Sequence, residues 1–192
     1  QTLAIKILID PKDGAILGAQ AVGAEGVDKR IDVIATAMRA GLTATDLIDL
    51  ELAYAPPFGS AKDPINQLGY IAENRMSGLS ESADWSEIEQ LQTSGWKLLD
   101  VRTREEFAEG SIPGATNVPV DELRDHLDDL RGSDYLVYCA VGQRAHVATQ
   151  LLKAHGISAK NLDGGWTTWR NTRTARSLRD VPKKQLVGAA LS

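Results

Sequence analysis

The chain has 192 residues, of which 43% are hydrophobic and 24% are charged, a composition typical of one large or two small globular domains. Its net charge of −5 argues against a nucleic acid or an acidic membrane surface as partner, because phosphate groups are bound by clustered Lys and Arg in excess. The single cysteine excludes an intramolecular disulfide and a multi-cysteine metal site, and it fits a reducing compartment. No apolar run reaches membrane-spanning length, so we expect a cytoplasmic protein.

The first 76 residues predict a small α+β unit. Apolar β-forming runs on both sides of a turn at residues 11–14 predict a β-hairpin, and helical periodicity takes over from Gly26. Gly41 is well placed to end the first helix, and either Thr43 or Thr45 to cap a short second one. The strands are predicted at residues 3–9 and 15–22, and the helices at residues 26–41, 43–48 and 64–76.

Residues 77–83 are polar and predict a linker, after which strands alternate with helices. Such alternation predicts an α/β domain with a mostly parallel sheet, which binds ligands beyond the carboxyl ends of its strands. Cys139 lies at one of these ends, and Asp100 and Arg102 lie at another. Residues 171–192 form a tail without a clear signal. The strands are predicted at residues 96–101, 115–118, 135–138 and 159–162, and the helices at residues 85–92, 104–108, 120–130 and 144–154.

The loop after Cys139 is the strongest candidate for a site. It connects an apolar strand to a helix, so the thiol faces loop N–H groups and the positive end of that helix. Both favour a thiolate over a thiol, and both would favour an anionic persulfide. The alternative is a buried cysteine that packs like a small hydrophobic residue. We interpret Cys139 as a nucleophile.

Four ordered motifs in residues 84–170 resemble those of the rhodanese family. They are residues 99–107 (LDVRTREEF), 110–115 (GSIPGA), 139–144 (CAVGQR) and 163–169 (DGGWTTW). The resemblance implies a sulfurtransferase in which Cys139 takes sulfane sulfur from a donor, holds it as a persulfide and passes it to a nucleophilic acceptor. Ser111 stands where the family usually has His, and we expect this difference to affect packing more than chemistry.

The length of the Cys139 loop separates this reading from the phosphatases that share the fold. Those enzymes place five residues between Cys and Arg to wrap a phosphate, whereas four lie between Cys139 and Arg144. The loop is therefore predicted to be a smaller cradle for a persulfide, with Gly142 permitting an unusual backbone turn. Its amide donors are assigned to Ala140, Val141, Gly142, Gln143 and Arg144.

Three charged side chains are expected near this loop. Two of them, both arginines, have two interpretations each, and the third has a supporting role. Arg144 either contacts an anionic substrate or, as we favour, clamps a carboxylate such as that of Glu106. Arg102 either resembles the substrate-side arginine of the family or plays a plain surface role. Asp100 is expected to orient groups of the loop. His146 is interpreted as non-catalytic, because the transfer chemistry implied by the resemblance needs no general base there.

Residues 1–76 carry a second resemblance, to the dimerisation domain of the flavin-dependent pyridine nucleotide-disulfide reductases, and in particular of coenzyme A-disulfide and persulfide reductases. The matching stretches are residues 14–23 (GAILGAQAVG), 30–37 (RIDVIATA) and 52–64 (LAYAPPFGSAKDP). The last stretch contains no His-Pro pair, which the glutathione-reductase branch of the family carries there. Its Tyr54 instead matches the coenzyme A-directed branch, in which a tyrosine reaches across the dimer toward the substrate of the other subunit. The alternative for Tyr54 is a packed tyrosine. The resemblance implies a homodimer.

The sequence contains no Gly-x-Gly-x-x-Gly fingerprint and no second redox thiol. We therefore interpret the chain as the C-terminal part of a longer reductase–rhodanese fusion that would use FAD, NAD(P)H and, as a further candidate, coenzyme A, while the chain itself binds no cofactor and no metal. The expected partners are persulfide, polysulfide or thiosulfate and thiol acceptors, with thiosulfate disfavoured because the loop lacks extra positive charge. The alternative is a non-catalytic rhodanese-like binding and dimerisation module.

Overall fold

The computed structural model describes residues 3–57 and 59–179 and divides the chain into two compact units, Gln1–Leu79 and Ser80–Ser192. The division falls inside the stretch expected as a linker. Each unit has its own hydrophobic core. No described helix combines the length and the apolarity that a bilayer span requires.

The first unit is a hairpin covered by helices, as the sequence predicts. Strand β1 (Leu3–Ile9) pairs antiparallel with β2 (Ile16–Gly23), followed by α1 (Val27–Arg39), a short 3-10 helix (Thr45–Asp49) and α2 (Pro64–Met76).

The ends of these helices follow from individual residues. The Asp63 side chain accepts a hydrogen bond from Ile65 N and caps α2, and its carboxylate also pairs with Arg30 of α1 at 2.9 Å. The threonine cap expected for the short helix is wrong, because Ala44 occupies the cap position. Thr43 instead donates through its N–H and its hydroxyl to the Asp46 carboxylate, at 2.7 Å in both cases.

The second unit is built on a five-stranded sheet in which each neighbouring pair is parallel. Its elements are β3 (Ser82–Ala83), α3 (Ile88–Thr93), β4 (Lys97–Asp100), α4 (Arg104–Ala108), β5 (Ala115–Asn117), β6 (Tyr135–Tyr138), α5 (Gln143–Ala154), β7 (Ala159–Leu162) and α6 (Gly165–Arg179). The order across the sheet is β3-β7-β6-β4-β5, with core clusters on its faces. The predicted fold class, an α+β unit followed by an α/β unit with a parallel sheet, is confirmed.

Three further sequence expectations differ from the structure. The helix expected at residues 120–130 is wrong: this stretch holds a 3-10 helix at Leu123–His126 between turns. Residues 82 and 83, expected in the linker, form the edge strand β3. The stretch expected as a tail begins inside α6, which continues to Arg179, and its remaining residues, 180–192, lie outside the described part of the chain.

The sheet brings the two candidate loops to one edge. Strands β4 and β6 are neighbours, with Asp100 paired to Tyr138 in the register. Val101 N donates to Tyr138 O at 2.9 Å, so the chain leaves both strands side by side. Arg102 and Cys139 are therefore the residues that emerge at the carboxyl edge, where parallel sheets bind their ligands.

Candidate active site

Cys139 is the first residue after the fully buried strand β6 and is itself 1% exposed. Burial alone would suit a cysteine that only fills the core. Its sulfur, however, accepts a hydrogen bond from Gly142 N at 3.1 Å, which an apolar packing role does not require. A backbone N–H directed at sulfur stabilises negative charge there, so the geometry suits a thiolate or a persulfide.

Gly142 supplies this amide because of an unusual backbone conformation. Its φ is 106°, and it is the residue that caps the beginning of α5, whose first regular bond runs from His146 N to Gly142 O at 2.9 Å. A residue with a β-carbon rarely adopts this φ, so the prediction that glycine permits the turn is confirmed. Gly142 is the loop amide that reaches the sulfur among the described residues, and the Arg144 side chain also interacts with Cys139. Donation by Ala140, Val141, Gln143 and Arg144 stays a prediction.

Arg144 is held by a carboxylate on α4. Its Nη1 and Nη2 donate to Glu106 Oε2 and Oε1 at 2.7 and 2.8 Å, and Oε2 also accepts from Thr103 N at 3.0 Å. The Arg144 hydrogen bonds are the main cause that lowers the pKa of Glu106 to about 2. In turn, Glu106 chiefly raises the pKa of Arg144, with a smaller contribution from Cys139. The favoured clamp interpretation is confirmed, and a substrate contact by Arg144 stays a prediction.

Arg102 is buried, so a plain surface role for it is wrong. It is 3% exposed, and its guanidinium forms an ion pair with the fully buried Asp100, in which Nη2 donates to Oδ2 at 2.6 Å. Its Nη2 also donates to Gly110 O at 2.7 Å, and its guanidinium carbon lies 5.0 Å from the ring centre of Trp166. Burial opposes its charge, but the bonds and charge of Asp100 outweigh burial and raise the pKa of Arg102. Asp100 thus orients Arg102, and a substrate contact by Arg102 stays a prediction.

The loop that contains Ser111 is fixed on both sides of that residue. Gly110 O accepts from Arg102, and Ile112 N donates to the Tyr138 hydroxyl oxygen at 3.1 Å. Burial, followed by the nearby Asp100 carboxylate, raises the pKa of Tyr138, so its hydroxyl stays protonated. The backbone of this loop is thus held by Arg102 and Tyr138.

The beginning of α6 supports the Cys139 loop, a role that sequence reasoning missed. Trp166 N donates to Cys139 O at 2.8 Å, and Thr167 N donates to Ala140 O at 3.0 Å. Gly165 lies so close to the loop that a β-carbon on it would be 2.3 Å from Cys139 O. Two consecutive glycines before a helix could have indicated such an approach, although the motif was assigned no role. Trp166 packs against a core cluster and stacks on Trp169.

Tyr54 lies in the first unit and is 55% exposed. The alternative of a tyrosine packed within this chain is therefore wrong. Exposure leaves its side chain accessible to another molecule, and the contact across a dimer stays a prediction.

The described residues do not fit a dinucleotide cofactor. Such cofactors place their phosphates on a glycine-rich turn between a parallel strand and a helix. Among the described turns that lead from a strand to a helix at the carboxyl edge, the one after β6 contains Gly142 alone and the one after β4 contains no glycine. The turn after β7 contains Gly164 and Gly165, but these glycines lie against Thr168 and the Cys139 loop, so they leave no space for a phosphate. Within residues 3–57 and 59–179, His, Cys, Asp and Glu side chains form no group of three that could hold a metal ion.

Comparisons with family models support the two-domain reading. The model of the rhodanese-like domain matches residues 84–172. The model of the pyridine nucleotide-disulphide oxidoreductase dimerisation domain matches residues 1–64. The rhodanese-like match falls within the second compact unit, and the dimerisation-domain match falls within the first.

Several known proteins with similar sequences or structures are reductases. Coenzyme A disulfide reductase of Staphylococcus aureus is 49% identical over 71 residues, which are 37% of this chain and 16% of that protein. The reduced CoADR-RHD of Bacillus anthracis is 45% identical with a TM-score of 0.85, and the match covers 87% of this chain and 30% of that one. The NAD-dependent persulfide reductase of A. fulgidus is 36% identical with a TM-score of 0.77 and the same two coverages.

The chain therefore spans less than a third of these relatives. Both resemblances inferred from the sequence are confirmed. The chain contains a pyridine nucleotide-disulphide oxidoreductase dimerisation domain followed by a rhodanese-like domain, and it is similar to the C-terminal part of reductases of the coenzyme A disulfide and persulfide reductase type.

Proposed function

We propose that the second unit is a sulfurtransferase module that carries sulfane sulfur as a persulfide on Cys139. The observation that carries the proposal is the hydrogen bond from Gly142 N to Cys139 Sγ, in a loop with four residues between Cys139 and Arg144. The module would belong to a FAD- and NAD(P)H-dependent coenzyme A-disulfide or persulfide/polysulfide reductase. The similarity to two such reductases over 87% of this chain supports that assignment.

The proposed transfer is a pair of thiol exchange steps without net oxidation. The Cys139 thiolate attacks the sulfane sulfur of the donor, a new S–S bond forms, and the donor leaves as a thiolate. An acceptor thiolate then attacks the outer sulfur of the persulfide. A new S–S bond forms on the acceptor, the S–S bond to Cys139 breaks, and Cys139 is released as a thiolate. Amides of the Cys139 loop would stabilise the negative charge that develops during both steps.

A neutral or singly charged persulfide or polysulfide suits this site better than thiosulfate. Both arginines beside the loop are already paired, Arg144 with Glu106 and Arg102 with Asp100. Their charges are thus largely balanced by carboxylates, and the loop residues Ala140 and Val141 bring no charge. A doubly charged donor would therefore find little uncompensated positive charge to bind.

The first unit would serve the same reductase as its dimerisation domain. In a homodimer, the exposed Tyr54 of one chain could reach the substrate of the other. The acceptor of sulfur from Cys139 would then be a thiol of the reductase or of a small molecule.

Persulfide loading of Cys139 tests the proposal. After exposure to glutathione persulfide and removal of excess donor, mass spectrometry should find an adduct of about 32 Da, one sulfur atom, on Cys139. Thiosulfate should load the same residue at least about tenfold more slowly, because each unbalanced charge contributes roughly 1 kcal/mol or more to binding. The Cys139→Ser variant should carry no adduct. A Cys139 thiol that stays unmodified after exposure of the original chain to either donor would contradict the proposal.

One observation favours a second candidate, a non-catalytic binding and dimerisation module. Cys139 belongs to a hydrophobic core cluster with Val137 and Ala145, as a purely structural cysteine would. In that case Cys139 would stay unmodified, and Cys139→Ser would change stability without changing any sulfur-transfer rate of the whole reductase.

A further inference from the structure

The carbonyl of Gly142 accepts hydrogen bonds from two donors, of which one belongs to α5 and the other lies on β7. His146 N donates to it at 2.9 Å, and the side-chain Nδ2 of Asn161 on β7 donates to it at 3.3 Å. The same residue, Gly142, presents its N–H to Cys139 Sγ at 3.1 Å. The N–H and the carbonyl of Gly142 lie in adjacent peptide planes joined at one α-carbon, so groups that hold the carbonyl restrict the directions open to the N–H. Asn161 is therefore one residue removed from the reactive sulfur.

Both donors are in turn tied to residues 80–83, which open the second unit and which we call the joining segment. Ser80 Oγ shares a hydrogen bond of 3.1 Å with His146 Nδ1. Glu81 O accepts from Asn161 N at 2.9 Å, and Ser82 is the register partner of Asn161 across β3 and β7. Two consecutive residues of the segment thus contact Asn161, and the residue before them contacts His146.

The side-chain amide of Asn161 is held at one end. Within the described residues, Ser82 Oγ and Asn161 Oδ1 are buried side-chain oxygens without a hydrogen-bond partner. The hydrogen bond from Asn161 Nδ2 to Gly142 O is therefore the bond that fixes the direction of this amide.

We propose that Asn161 is a positioning residue for Cys139. The path is Asn161 Nδ2 to Gly142 O, and Gly142 N to Cys139 Sγ. The proposal extends the proposed function by adding a residue outside the loop. It depends on Cys139 being reactive but not on the identity of the sulfur donor.

Alkylation of Cys139 by iodoacetamide tests the proposal in the full chain. The protein has one cysteine, so the rate reports on this thiol alone. Asn161→Ala removes the donor to Gly142 O and should slow alkylation at neutral pH about fivefold, in line with the loss of one hydrogen bond. Asn161→Asp places a carboxylate beside Gly142 O, so it should slow alkylation further and move the pH profile of the rate upward.

A stability measurement separates positioning from a merely structural role. Asn161→Ala also removes a buried oxygen that has no partner, so the free energy of unfolding should stay unchanged or rise while the alkylation rate falls. The matched control is Asn171→Ala, at an exposed position of α6, which should alter neither quantity. An alkylation rate in Asn161→Ala equal to that of the unmodified chain would overturn the proposal.

Ser82→Ala provides a second control, because it removes a buried hydroxyl that has no partner at the position paired with Asn161. It should leave the alkylation rate unchanged, whereas a loss equal to that of Asn161→Ala would contradict a specific role of Asn161. If these results hold while Cys139 acquires no sulfur adduct, the positioning role stands and the proposed sulfurtransferase function is contradicted instead.

Discussion

Two arginines flank the reactive loop, and each is matched with its own carboxylate at a different depth. Arg102 and Asp100 are almost fully buried, whereas the side chains of Arg144 and Glu106 are 35% and 34% exposed. A buried pair that loses one partner leaves an uncompensated charge, while a half-exposed pair is partly screened by solvent. The contribution of the Arg144–Glu106 pair to the free energy of unfolding can therefore be removed by a substitution without unfolding the domain.

Glu106→Gln should lower the free energy of unfolding by about 1 kcal/mol at neutral pH, a value already reduced for solvent screening. The pKa of Glu106 is about 2 in the folded protein, below its ordinary value of 4.5. Its ionised form therefore stabilises the fold above pH 4.5, and this contribution is lost as the pH falls toward 2. Urea unfolding of both proteins at pH 7 and at pH 3 should show the difference shrinking.

The exposed neighbour Glu109 provides a control for this measurement. Glu109→Gln should change the free energy of unfolding by less than about 0.5 kcal/mol at either pH. A Glu106→Gln effect of the same size at pH 7 and pH 3 would contradict a role for the ionised carboxylate.

At the residue scale, the sequence predicted what depends on local pattern. The Cys139 loop, the need for glycine at residue 142 and the clamp between Arg144 and Glu106 follow from spacing and residue type, supported by the family resemblance. Asn161 could not be predicted, because its contact with Gly142 joins β7 to the start of α5 across the sheet edge. Contacts of this kind depend on the register of strands, which the sequence pattern leaves open.

At the scale of elements, two helices, α5 and α6, begin beside the Cys139 loop. The first N–H groups of a helix have no partner within the helix. Those of Trp166 and Thr167 are used to bind the carbonyls of Cys139 and Ala140. This arrangement requires the backbone of α6 to approach the loop directly, which is possible only where a side chain is absent.

Gly165→Ala should therefore be destabilising by roughly 3 kcal/mol and should also slow persulfide loading of Cys139. Its φ of 53° is unfavourable for alanine, and the added β-carbon would lie 2.3 Å from Cys139 O. The matched control is Gly156→Ala, where φ is 75° but no atom lies within 4 Å of the added carbon. It should show only the conformational cost of about 1 kcal/mol. Equal losses in urea unfolding would contradict the close approach.

The success of element prediction depended on how local the signal is. Helix α2 was placed correctly because Asp63 and Pro64 mark its beginning. Residues 120–130 have leucines at helical spacing, but 3-10 turns bury Leu123 and Leu130 equally well. The stretch also contains several Asp residues, which favour turns over helix interiors. The two-residue strand β3 is too short for any periodicity and forms only because β7 lies beside it.

At the scale of the whole molecule, each unit has its own core, and only the first unit matches a dimerisation domain. That unit exposes several large apolar side chains, namely Leu8, Leu17, Val22, Tyr54 and Ile71. Exposed apolar surface of this kind is typical of an interface between subunits.

Light scattering should therefore find twice the mass of one chain at micromolar concentration. A shortened chain of residues 80–192 should be monomeric, and a matched chain of residues 1–79 should keep the dimer, because most of the exposed large apolar side chains of the described residues lie in the first unit. A full chain that stays monomeric as its concentration rises would contradict dimerisation through this unit.

The two-residue strand β3 has a practical consequence for where the second domain starts. The rhodanese-like match begins at residue 84, yet Asn161 N and Asp163 N donate to Glu81 O and Ala83 O. A protein cut at the boundary of the family match would leave β7 as a bare edge, with those amides free to pair with another chain and promote aggregation. We therefore expect a stable form of this domain to include the residues from Ser80 onward, four residues before the family match begins.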